Sequence, residues 1–176
     1  MTRQYGDASF LPIGEHGEPT TWVQERLNGQ QISWLDFLAE KDHPEGWSGC
    51  ALGLTSSAIM VVYAAPGDRQ PYGARLIWRY LEAQTIWTRS MDRKFRRSRD
   101  EDTDVQRRVQ GAVIRGVPTT KPPNERGGER ARIELVGGGL LRIDALPGDG
   151  PGEADMDIQW LDTVDRLIIL PGMRQN

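Results

Sequence analysis

Between Ala74 and Arg97 the apolar residues recur at a spacing that constrains this chain more than any other stretch. At about 100° per residue, Leu76, Ile77, Tyr80, Leu81, Trp87, Met91 and Phe95 fall within one stripe, interrupted only by Gln84. The opposite side carries Arg75, Arg79, Arg89, Arg93 and Arg97, with Trp78 and Ile86 among them. The pattern predicts one long amphipathic helix, its stripe docked on a sheet and its arginines facing outward.

The rest of the chain reads as short elements between loops. Residues 1–19 hold Gly6, Pro12, Gly14, Gly17 and Pro19 and suggest an irregular arm. A helix is predicted from Thr20-Thr21, where Thr21 and Gln24 have capping-box spacing, to a stop at Asn28-Gly29. A second short helix is predicted from Ser33, with Trp34, Leu35, Phe37 and Leu38 as its apolar side and His43-Pro44 as its end. Gly49–Leu54 and Ala58–Ala64 read as strands, the latter an apolar run that suits a strand covered on both faces.

A short helix is expected from Asp104 to Val113, and a hairpin over 131–146 around Gly137-Gly138-Gly139. Strands are expected at Asp157–Trp160 and Arg166–Leu170, with long loops at 116–130 and 147–156. The order argues for an α+β fold, a small and mostly antiparallel sheet packed against the long helix. A length of 176 residues suits a single α+β domain over 20–176.

Catalysis needs convergent groups, and the residue spacing offers none that is recognised. His16 and His43 stand in turn-like contexts outside any metal-binding pattern. The acids Asp149, Glu153, Asp155 and Asp157 lack calcium-loop spacing. Ser56 and Ser57 follow a strand, but without the second glycine of a nucleophile elbow. No lysine follows the triple glycine, as a phosphate loop would require. The expectation is a non-enzyme with no cofactor and no metal.

One cysteine, Cys50, excludes an intramolecular disulfide. No apolar run approaches the roughly 18 residues of a membrane span, and the opening residues are polar, so a cytoplasmic protein without membrane contact is expected.

Charge is unevenly spread. Nine basic and five acidic side chains lie between Arg89 and Arg115, whereas acids dominate after Leu141. On the predicted helix, Arg75, Arg79, Arg89, Arg93 and Arg97 would follow a phosphate backbone, and Trp78 would stack on a base. The same face also fits a solvated surface, paired with acids from the C-terminal third, or a protein interface.

The words Pro71-Tyr72-Gly73, Arg75-Leu76-Ile77, Tyr80-Leu81 and Thr88-Arg89-Ser90, after the apolar run Ile59–Tyr63, resemble a segment of plasmid-encoded RepA-type replication initiators. In that family a strand leads through a Pro-Tyr-Gly turn into a helix. The resemblance implies a winged-helix type of DNA-binding domain, with the 131–146 hairpin as its wing. DNA is then the expected partner. The alternative expectation is a non-enzymatic assembly or adaptor protein, such as a component of a phage particle, with a protein partner or a second copy of itself. Its motivation is the arm and the long loops, features that often order only against neighbouring subunits.

Overall fold

The computed structural model describes residues 20–40, 46–69, 72–81, 95–117, 126–148 and 154–162. Over these residues the protein is built from two antiparallel sheets. Helix α1 (Thr20–Leu27) precedes strands β1 (Ile32–Glu40), β2 (Gly49–Leu54), β3 (Ile59–Arg69), β4 (Tyr72–Leu81) and β5 (Phe95–Arg97). Helix α2 (Thr103–Val109) follows, then β6 (Ile114–Gly116), β7 (Arg130–Leu135), β8 (Leu140–Pro147) and β9 (Ala154–Leu161). The first sheet has the order β4-β3-β2-β1-β5 and the second β6-β7-β8-β9.

This architecture overturns the α+β expectation of a small sheet against one long helix. Residues 72–81 are strand, paired with β3 from Ile59↔Leu81 to Arg69↔Tyr72, and residues 95–97 are a second strand on the far edge of the same sheet. The physical reason is visible in the residues. From Ala74 to Tyr80, apolar Ala74, Leu76, Trp78 and Tyr80 alternate with Arg75, Ile77 and Arg79. A period of two places these sets on opposite faces of a strand. Residues 82–94, including Trp87 and Met91 of the predicted stripe, lie outside the described residues.

The helix expected from Ser33 is also a strand. Leu35 and Phe37 of β1 enter the core between the sheets, while Trp34 and Leu38 join an apolar cluster on the other face. A strand covered on both faces is apolar at successive positions, so its period is lost. The β2–β3 pair, α1 and α2 form near their expected places. The 131–146 hairpin also forms, but its strands are the two central ones of the second sheet rather than a projecting wing. The strand expected at 166–170 and the arm at 1–19 lie outside the described residues.

The main core lies between the two sheets. Phe37, Leu52, Met60, Val62 and Trp78 from the first meet Ile133, Leu141, Ile143, Met156 and Ile158 from the second. Val105 and Val109 of α2 and Val23 and Leu27 of α1 join the same cluster. Each large side chain so buried contributes about 1.5–3 kcal/mol. Asp102 caps α2 by accepting from the Val105 amide at 3.1 Å, and Asp104 with Arg107 and Arg108 place charges that complement the helix dipole. At the β7–β8 turn Gly137, Gly138 and Gly139 all have positive φ, and the Trp160 ring lies where a Cβ on Gly139 would be.

One junction between the sheets lies at the start of β4. There the Gly73 amide donates to Gly127 O (2.7 Å), Glu129 N to Ala74 O (3.0 Å) and Ala145 N to Glu129 O (2.9 Å). The Glu129 carboxylate accepts from the Leu76 amide at 3.2 Å. Burial pushes the Glu129 carboxyl up from its ordinary value near 4.5, against the opposing effects of that amide and of Arg75. A folded state that holds a proton more tightly than the unfolded chain loses stability as pH rises from the ordinary value through the raised one. Glu129→Gln keeps the acceptor without the charge. It should be at least as stable as the parent at pH 7, with that advantage gone at pH 3, as urea unfolding at the two values will read. A loss at pH 7 larger than at pH 3 would contradict this reading.

Candidate functional site

Of the six residues expected to contact nucleic acid, four are described, and they do not form one surface. Arg75 projects to solvent from β4. Trp78, on the opposite face of the same strand, is 1% exposed and lies in the core between the sheets, so it cannot stack on a base. Arg79 is half-buried, and its Nη2 donates to the Tyr63 hydroxyl at 2.6 Å while its guanidinium lies 4.9 Å from the Tyr63 ring centre. Burial lowers the Arg79 pKa from its usual value, an effect that Tyr63 opposes. Arg97 sits on β5, at the edge of the sheet opposite β4, and pairs with Asp36 at 2.9 Å and with Glu101 at 3.6 Å. Arg89 and Arg93 lie outside the described residues.

Asp36 is an acid of the first sheet whose partner matters. Burial raises its pKa from the ordinary carboxylate value, and Arg97, by charge and hydrogen bond, works in the other direction. The Arg97–Asp36 pair therefore ties β5 to β1 and partly offsets the burial of the Asp36 carboxylate.

The densest polar constellation stands elsewhere, on the outer face of the second sheet. Its strands alternate cleanly. Ala131, Ile133 and Leu135 of β7 face the core, while Arg130, Arg132 and Glu134 face away. Register sets Arg130 opposite Asp144 and Arg132 opposite Arg142, and β8 in turn sets Asp144 opposite Asp157 and Arg142 opposite Gln159. Arg130 grips Asp144 with two hydrogen bonds, Nε at 2.7 Å and Nη2 at 3.1 Å. The Asp144 side chain is only 6% exposed. Arg142 Nη2 donates to Gln159 Oε1 (2.7 Å), whose Nε2 donates to Asp157 Oδ2 (2.9 Å). Arg115 of β6 reaches Glu134 at 3.4 Å.

Sequence reasoning passed over this face. The signal was present in Arg130-Ala131-Arg132-Ile133-Glu134-Leu135, six residues of strict alternation, but the cross-strand partners depend on hairpin register. Among the described residues no group of three or more His, Cys, Asp or Glu is placed to hold a metal ion. Cys50 is fully buried in the core, and burial pushes its thiol up to about 12, far from a nucleophile at neutral pH. No helix among the described residues is long and apolar enough to cross a membrane. No protein-family model, no curated protein and no solved structure matches this chain.

Proposed function

We propose that the chain is a non-enzymatic assembly or adaptor module that works through contacts with a protein partner or with further copies of itself. The observation that supports this reading is the internal use of its arginines. Arg97, Arg107, Arg108, Arg115, Arg130 and Arg142 all lie within ion-pair distance of carboxylates of the same chain. Such pairing turns a positive surface into structure and leaves a mixed polar face of the kind that rims protein interfaces.

DNA contact, in the manner of a plasmid replication initiator, is the second reading. It is favoured by Arg75, Arg96 and Arg99, which project to solvent without an ion pair to any described residue. Acids stand near two of them, Glu129 near Arg75 and Asp100 directly after Arg99. Sedimentation across a concentration range, with a fluorescence titration of duplex DNA at low and physiological salt, separates the readings. The assembly reading expects mass that grows with concentration and little DNA binding. A monomer at all concentrations, with DNA affinity that falls steeply as salt rises, would replace it with the second.

A further inference from the structure

The outer face of the first sheet is apolar and buried. Leu38, Ala51, Ile59, Val61, Tyr63 and Phe95 belong to it, at 0–5% exposure. Register places them on one side, with Leu38 opposite Gly49, Gly49 opposite Tyr63 and Ala51 opposite Val61. Among the described residues, the hydrophobic neighbours of this cluster are Trp34, Ala65 and Ile77, all of the same sheet. Helices α1 and α2 and the second sheet send their apolar side chains into the core on the opposite face. Side chains on a bare sheet face are open to water, so at these exposures another stretch of the chain lies over them.

The connection from β4 to β5 is placed to supply that cover. These strands are the two edges of the sheet, with β3, β2 and β1 between them. At about 4.8 Å per strand step, the edges stand about 19 Å apart. Leu81 and Phe95 also lie toward opposite ends of the sheet. Leu81 is in register with Ile59, Gly53 and Trp34, whereas Phe95 is opposite Glu40. The diagonal between them is about 28 Å at strand spacing and rise. Residues 82–94 bridge about 21 Å as helix and about 45 Å when extended, so they reach with turns to spare. The second sheet closes the inner face, and the direct route therefore crosses the outer one.

The segment carries matching chemistry. Ala83, Ile86, Trp87 and Met91 recur at spacings of three and four residues, so they share one side wherever the backbone turns as a helix. Thr85, Thr88, Arg89 and Asp92 fall on the other side. We propose that residues 82–94 cross the outer face of the first sheet and seat Trp87 and Met91 on the cluster around Val61 and Tyr63. The run at 167–170 is also apolar, but no strand order carries it across this face. The crossing does not depend on the assembly reading and restricts it, because a face so covered is closed to a partner.

The test is fluorine NMR of the full chain labelled with fluorotryptophan, in which Trp87→Phe identifies the Trp87 resonance. That resonance is expected to resist broadening by a soluble paramagnetic agent at every protein concentration. Val61→Ala, on the covered face, should shift it more than Val62→Ala, the next residue of the same strand, which faces the inner core. In urea, Trp87→Ala should lower the unfolding midpoint, whereas Arg89→Ala should leave it unchanged. Broadening as strong as that of free fluorotryptophan, or an unchanged midpoint for Trp87→Ala, places the segment in solvent and overturns the inference. A larger response to Val62→Ala than to Val61→Ala overturns it too, since Trp87 would then lie on the inner side. Protection that fades on dilution would mean that a second copy supplies the cover, which overturns the crossing and strengthens the assembly reading.

Discussion

Asp144→Ala is expected to cost about 3–5 kcal/mol of folding free energy, the range for removing one member of a buried ion pair. The carboxylate is 6% exposed and its main partner Arg130 12% exposed, so water cannot replace what is lost. Arg130 would keep its charge with two hydrogen-bond donors unmatched, and Arg142 would lose the carboxylate 3.4 Å from its Nε. Urea unfolding of the single variant gives the number. The paired change Arg130→Met with Asp144→Leu provides the contrast, since removing both charges leaves neither unpaired and should recover most of the loss. Arg107→Ala is the surface control, because Arg107 and its partner Asp104 are both largely exposed and such pairs contribute little. A cost for Asp144→Ala no larger than this control would mean that the Arg130–Asp144 pair is effectively solvated.

Trp78→Ala should be the other large effect, about 3–5 kcal/mol, as for other buried aromatic truncations. Trp78 is 1% exposed and packs in the core between the sheets, where its removal leaves a cavity that the surrounding strands cannot close. Trp78→Phe should cost less. It keeps an aromatic ring and removes an indole N–H that is buried without an acceptor. The result bears directly on function. A residue that stacked on bases would lose affinity and keep stability when truncated, whereas Trp78 is expected to lose stability first. Calorimetric unfolding of the two variants decides between these roles.

The arginine row shows why the candidate site could be misread. Arg75, Arg79 and Arg97 share a helical face only if residues 74–97 are continuous helix. In the fold, Arg75 and Arg79 stand on one edge strand and Arg97 on the opposite edge, with three strands between them. The same letters satisfied a period near 3.6 over the long window and a period of two over Ala74–Tyr80. β-Branched and aromatic residues at Ile77, Trp78 and Tyr80 favoured the second. The face that does concentrate charge, around Arg130, Arg132, Arg142 and Asp144, lies on the two strands of one hairpin, and its cross-strand partners follow from register rather than from any single periodic run.

The sequence by itself determined the elements whose signals are local. The Asn28-Gly29 stop ends α1 near its predicted place. The apolar run Ile59–Tyr63 became a central strand, and the triple glycine closed the 131–146 hairpin through positive φ that other residues resist. Only the tertiary structure decided which way Trp78 faces, that Leu35 and Leu38 serve different cores, and that Arg130 meets Asp144 while Arg132 meets Arg142. Those outcomes depend on strand register and on which sheet covers which face. Both are set by burial summed over distant residues, so they have no signature within any single stretch of chain.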